Sequence, residues 1–284
     1  MKKLKNVLVS LRFLNVVTVC IYVYLSFSVF PANHEAALLF TAATALSLMA
    51  GNVLNDYYDT ETDRINKPGR PSLVKLYGKK RTLRSYYALL LLAALSVLFT
   101  RSVYATGIVL LANLLLTFYA QYGKYAGAAG NVLVAFLSGL SVFAPYLVCT
   151  EHLAWQDKWI GLHESFSRPL LLCSLLAFFF SLLREWIKDM EDYEGDLRTG
   201  LRTGVIQTGL PAALRIARVI SLLYLLILGA LVWYLQSWVP LVWSVLFASV
   251  CLKLWGGREK QHFRMASALL KVVFLSGILA YFYL

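Results

Sequence analysis

Long apolar runs recur along this chain, each closed by a short polar or charged break. They fall near 11–30, 36–54, 86–100, 103–122, 131–150, 169–187, 217–235, 239–255 and 266–284. A helix needs ~20 predominantly apolar residues to cross a bilayer core. The pattern therefore predicts an all-α membrane protein, a bundle of about nine transmembrane helices, with 86–100 its weakest member. Lys2, Lys3 and Lys5 precede the first run as they would a signal peptide. No convincing small-residue cleavage site follows, so that run reads as an uncleaved helix. The whole chain, 1–284, reads as one multi-pass domain.

Two of the polar breaks differ from the rest. The second run ends in Asn55-Asp-Tyr-Tyr-Asp-Thr-Glu-Thr-Asp63, followed by Arg64-Ile-Asn-Lys67-Pro-Gly-Arg70-Pro71. At about 3.6 residues per turn, a helix here aligns Asn55, Asp59 and Asp63 in one stripe, with Asp56 beside it. The sixth run ends in Lys188-Asp189-Met-Glu-Asp192-Tyr-Glu-Gly-Asp196, which repeats the spacing: Lys188 falls on Asn55, and Asp189, Asp192 and Asp196 fall on Asp56, Asp59 and Asp63. The region from Asp63 to Ser85 reads as the longest loop on the motif side of the bundle.

Composition sharpens this picture. At 59% hydrophobic and 15% charged, the chain is too apolar for an ordinary soluble domain. Taking the N-terminus and the breaks after runs 2, 4, 6 and 8 as one side, that side holds 23 of the 27 Lys and Arg. The positive-inside rule then places the N-terminus and both acidic segments in the cytoplasm. The net charge of +12 follows from this topology and from contact with anionic membrane lipid, so no nucleic acid is required to explain it. Ten of the 15 acidic residues lie in the two segments 55–63 and 185–196, on the side richest in bases. Like charges gathered this closely repel unless protons or cations intervene. The four cysteines lie within apolar runs and the four histidines in loops away from these segments, so neither a zinc site nor a histidine-based triad is in view.

Carboxylate and amide oxygens suit Mg²⁺, which takes a few carboxylates together with substrate phosphate oxygens. Arg64, Lys67, Arg70, Lys124 and Lys188 supply cations for a diphosphate. The rest of such a substrate has to be greasy, because the site lies at the end of a membrane bundle, and an isoprenyl diphosphate meets both demands. Breaking its carbon–oxygen bond leaves a carbocation-like centre that an aromatic face such as Tyr119 can shelter, and a lipophilic acceptor then takes the prenyl group. An ion-coupled transporter is the reading from another class, but transport acids sit near the bilayer midplane rather than at one face. A CDP-alcohol phosphotransferase also uses membrane carboxylates, and its Asp-Gly…Ala-Arg signature is absent.

On these residues the chain resembles the UbiA superfamily of intramembrane prenyltransferases over essentially its full length. Asn55-Asp56-x-x-Asp59-x-x-x-Asp63 matches the family's first Asp-rich motif, Arg64, Lys67, Pro68, Arg70 and Pro71 its basic tail, and Asp192-x-x-x-Asp196 its second motif. The resemblance implies nine helices around a cytoplasm-facing central cavity. It also implies Mg²⁺ at Asn55, Asp59, Asp192 and Asp196, and a candidate catalytic set of Asp56, Asp59, Asp63, Asp189, Asp192, Asp196 and Tyr119. Tyr119 and Lys124 are similar to the family's Tyr/Lys pair after the fourth helix, spaced by five residues. Arg184-Glu185-x-x-Lys188-Asp189 and the first-run residues Arg12 and Asn15 are most similar to members that prenylate geranylgeranylglycerol phosphate in ether-lipid synthesis. This adds Asn15 to the substrate-binding set of Arg64, Lys67, Arg70, Lys124 and Lys188. Those members continue Leu-Pro where this chain has Gly204-Val205. Aromatic acceptors of quinone biosynthesis stay open.

Overall fold

A computed structural model describes residues 2–28, 34–66, 69–151, 167–236, 239–257 and 260–281. Among them every named element is helical: α1 (Lys2–Ser10), α2 (Phe13–Ser28), α3 (His34–Tyr58), α4 (Thr60–Asn66), α5 (Leu73–Tyr77), α6 (Lys79–Leu98), α7 (Val103–Tyr122), a 3₁₀ turn (Gly123–Tyr125), α8 (Ala128–Cys149), α9 (Ser167–Arg198), α10 (Gly204–Thr208), α11 (Leu210–Leu235), α12 (Val239–Gly256) and α13 (Lys260–Tyr281). Six are long and apolar enough to cross a bilayer: α3, α6, α7 with its 3₁₀ turn, α8, α9 from Leu170, and α11. The α1–α2 pair makes a seventh if its two arms count as one span. α12 is apolar from Leu241 but shorter. The chain is an all-α, multi-pass membrane protein.

The polar breaks supply the caps. Ser72, Ser102 and Thr203 sit at N-caps, their hydroxyls accepting from Lys75, Ala105 and Ile206 N–H groups that have no helical acceptor. Glu151 adds a second cap to α7, accepting from the Ser102 hydroxyl and from the Val103 and Tyr104 amides.

The first run, 11–30, forms the single helix α2 as expected, but it does not open the helical structure, since a separate helix, α1, precedes it and meets it at 58°. Arg12 takes a left-handed φ of 51° there, and the helical ladder restarts with Asn15 N–H donating to the Arg12 carbonyl at 2.9 Å. The break strands the Leu11 carbonyl, which accepts from Asn52 Nδ2 of α3 at 2.9 Å. The region 63–85 is not a long loop, since α4, α5 and the first turns of α6 occupy most of it. Short capped turns satisfy backbone groups that a loop against the bundle would leave unpaired.

The chain forms two compact units, Met1–Gly123 with Ala144–His152, and Lys124–Phe143 with Leu153–Leu284. In the first, α3 packs on α2, α6 and α7. Its buried stripe holds Ala37, Phe40, Ala43, Ala50, Gly51 and Val53, largely small residues. Lipid tails are as apolar as Leu, so helix association here rests on close packing, which small residues permit. Cross-helix polar pairs add to it, such as Tyr86 with Thr117 at 2.8 Å. In the second unit α9 packs on α11 and α13. The Trp186 indole donates to the Ala213 carbonyl at 2.9 Å, and Ser138 bonds Ser181 at 2.9 Å.

Candidate active site

The first motif straddles the junction of α3 and α4. Although helix α3 ends at Tyr58, Asp59 N–H donates to the Asn55 carbonyl and Asp63 N–H to the Asp59 carbonyl, both at 2.8 Å. The i→i−4 register therefore runs through, and Asn55, Asp59 and Asp63 share the predicted stripe. Asn55 and Asp59 are half-buried. Asp56 is only 3% exposed and accepts from Leu73 N–H of α5 at 3.2 Å. Arg70 lies between two carboxylates, 3.7 Å from Asp56 and 3.4 Å from Asp63. Ser10 of α1 donates to the Pro71 carbonyl at 3.2 Å, and Lys75 Nζ to the Arg70 carbonyl at 3.2 Å. The segment bearing Arg70 is thus fastened at several points. Arg64 behaves differently: it is exposed and, among the described residues, pairs with Glu61 of its own helix, at 3.9 Å. Lys67 lies outside the described residues. Asn15 is half-buried in the first turn of α2.

The second motif lies within the unbroken α9, whose 32 residues carry the register from apolar span into acidic end. Asp189 accepts from Asn131 Nδ2 of α8 at 2.9 Å. Asp192 is half-buried and Asp196 is 3% exposed. One turn earlier Glu185, 6% exposed, holds two cations, Arg184 at 2.6 Å and Lys188 at 3.2 Å. A carboxylate this buried has to be neutralised, and here two partners share the task. Beyond α9, Arg202 N–H donates to the Lys124 carbonyl and Gly127 N–H to the Arg202 carbonyl, both at 3.0 Å. The segment carrying Lys124 is therefore strapped to the one that follows Asp196. Gly204 lets these segments close. A Cβ there would lie 2.8 Å from the Trp186 ring and 3.0 Å from Ala128 Cα, so the departure from Leu-Pro fits local packing. Tyr119 lays its ring over Gly123, at the start of the same segment.

The structure thus joins Arg70 with Asp56 and Asp63, and Lys188 with Glu185. Asn131, Glu185 and Arg202 were not among the sequence candidates. Glu185 carried a signal, a carboxylate at the end of an apolar run, whereas Asn131 had only its place at the opening of α8. The donors fit a hard cation, since the first motif presents amide and carboxylate oxygens and the second carboxylate oxygens, without thiol or imidazole. Among the described residues no three His, Cys, Asp or Glu side chains converge as a metal cage. A divalent ion at either motif would complete its shell with water and with oxygens of the ligand it accompanies, as Mg²⁺ does with phosphates.

Comparisons with known proteins bear on the family and the fold. The model of the UbiA prenyltransferase family matches residues 15–278. Digeranylgeranylglyceryl phosphate synthase of Saccharolobus solfataricus is 34% identical over 194 residues, 68% of this chain and 64% of that relative. The synthase of the same name from Korarchaeum cryptofilum is 31% identical over 246 residues, 82% of this chain and 80% of the relative. The chain thus spans slightly under two thirds of the Saccharolobus protein. A solved structure described as digeranylgeranylglyceryl phosphate synthase in membranes superposes with a TM-score of 0.68 at 26% identity, covering 99% of this chain and 98% of the other. A UbiA homolog from Archaeoglobus fulgidus bound to GPP and Mg²⁺ shares the fold, with a TM-score of 0.61 at 16% identity over 96% and 99% of the two chains.

Proposed function

The chain belongs to the UbiA prenyltransferase family, and from that premise we propose that it transfers the prenyl group of an isoprenyl diphosphate to a lipophilic acceptor, geranylgeranylglycerol phosphate. The observation that carries this reading is the seat of Arg70. A phosphate-type cation stands fastened among the carboxylates of a motif whose stripe is held in helical register. The acceptor is supported by the relatives, which are named digeranylgeranylglyceryl phosphate synthase. In this reading the two units are halves of one domain, 1–284. Nine helices would surround a central cavity open to the cytoplasm, with the N-terminus and both motifs on that side, a reading that the distribution of bases supports.

Asn55, Asp59, Asp192 and Asp196 would hold Mg²⁺. When bound, the metal draws charge off the diphosphate as its bond to the prenyl carbon breaks. Arg70 and Lys124, on fastened segments, bind and orient diphosphate oxygens, and Arg64 and Lys67 add their charge to the binding of that group. Lys188 faces the second anionic group, the acceptor phosphate, because a charged Lys is only a donor and cannot ligate metal. Tyr119 shelters the electron-poor allylic carbon, and the apolar helices keep bulk water from intercepting it. The acceptor hydroxyl oxygen forms the new bond to that carbon, diphosphate leaves with the electron pair of the broken bond, and the hydroxyl proton passes to the departing diphosphate.

The test is purified protein with Mg²⁺, radiolabelled prenyl diphosphates, and a panel of glycerol-phosphate and aromatic acceptors. Prenylated geranylgeranylglycerol phosphate is expected, with the reaction lost in EDTA and restored by Mg²⁺. Product with an aromatic acceptor alone would overturn the acceptor and leave prenyl transfer standing. No product with any acceptor would overturn both.

A further inference from the structure

Asp56 and Asp189 occupy equivalent places in the two motifs, 133 residues apart. Both accept from a neutral N–H donor of a different element, and Asp56 also faces the Arg70 guanidinium at 3.7 Å. Asp56 accepts from Leu73 N–H at 3.2 Å and Asp189 from Asn131 Nδ2 at 2.9 Å. Each bond fastens a segment that carries a phosphate-type cation. Leu73 follows Arg70 by three residues and begins α5, where its N–H has no helical acceptor. Asn131 lies in the first turn of α8, seven residues after Lys124, and is 6% exposed. The Lys124 segment is strapped a second time by the backbone pairing with Arg202.

We propose that Asp56 and Asp189 are positioning residues rather than metal ligands. Each is a carboxylate latch that sets the cation-bearing segment of its own half, Asp56 setting Arg70 through Leu73 and Asp189 setting Lys124 through Asn131. This gives Asn131 a part in prenyl diphosphate binding and divides each motif by role. The stripe of Asn55 and Asp59, with its counterpart Asp192, is left to the metal, while the neighbouring carboxylate builds the clamp. A carboxylate oxygen already held by a neighbour's N–H has fewer lone pairs to offer a cation. Partners that orient a binding group are typically worth about 10–100-fold in affinity or activity when removed. The proposal rests on the prenyl-transfer reading, since Arg70 and Lys124 have work only if a diphosphate binds.

The experiment pairs steady-state kinetics with Mn²⁺ binding, read by electron paramagnetic resonance on the full chain without substrate. Asn131→Ala and Asp56→Ala, which remove the donor and the acceptor of the two bonds, should each raise KM for the prenyl diphosphate about tenfold, with kcat falling by less than about threefold. Mn²⁺ affinity should stay within about twofold of the unaltered protein. The exchange of partners, Asn131→Asp with Asp189→Asn, rebuilds the hydrogen bond with donor and acceptor reversed. It should bring KM back to within about threefold, which loss of fold at either site would not allow. A loss of Mn²⁺ affinity of about tenfold or more in Asp56→Asn or Asp189→Asn would make them ligands and overturn the proposal. An exchange variant as impaired as Asn131→Ala alone would overturn it also. An unaltered protein that transfers no prenyl group would instead bring down the function on which the proposal stands.

Discussion

Replacing Glu185 with Gln tests whether burial gives the ion triad of α9 its weight. Glu185 faces Arg184 at 2.6 Å and Lys188 at 3.2 Å, with the cation side chains 22% and 25% exposed. At an effective dielectric constant near 20, each contact is worth roughly 5 kcal/mol before desolvation is charged against it. Removing one partner of a buried pair typically destabilises by about 3–5 kcal/mol. Gln keeps an acceptor oxygen, and both cations can turn partly to solvent, which together lower the expected loss to about 2–3 kcal/mol. The protein carries its own control in Glu191, whose partner Arg264 is 69% exposed at 3.2 Å. Glu191→Gln should change stability by no more than about 0.5 kcal/mol. The assay is unfolding in mixed dodecyl-maltoside and SDS micelles, with the two variants and the unaltered protein titrated side by side. Adding Lys188→Met to Glu185→Gln should recover about 1 kcal/mol, because a stranded cation is removed. If Glu185→Gln and Glu191→Gln unfold alike, buried charge pairing is not what secures this end of α9.

Three further outcomes are expected. Asp59→Ala and Asp192→Ala should each lower prenyl transfer at least about a hundredfold while the protein stays monodisperse in detergent, and full turnover in either would remove it from the metal set. With the four native cysteines replaced, cysteines at Lys79 and Arg202 should label only from the cytoplasm and one at Lys158 only from outside; the reverse pattern would put the site on the wrong side for a cytosolic diphosphate. Gly204→Leu should destabilise by about 1–3 kcal/mol in the same micelle titration, since its side chain would enter space held by Trp186 and the Ala128 backbone.

Much of the fold was legible because its cause is local. Crossing a bilayer demands a run of apolar residues with every backbone group bonded inside the run, so the helices declare themselves by hydropathy. The stripe of Asn55, Asp59 and Asp63 follows from the helical period alone, and the structure keeps that register across the α3–α4 junction. The identity of the carboxylate partners was not legible, because they are distant in the chain. Asp56 meets Leu73 seventeen residues on, and Asp189 meets Asn131 fifty-eight residues back. The bend at Arg12 is likewise invisible to hydropathy, because it depends on Asn52, forty-one residues away, accommodating the stranded Leu11 carbonyl. Periodicity fixes which face a side chain takes. A buried carboxylate or a broken ladder must instead find whatever donor packing brings within about 3 Å, and only the tertiary structure decides which donor that is.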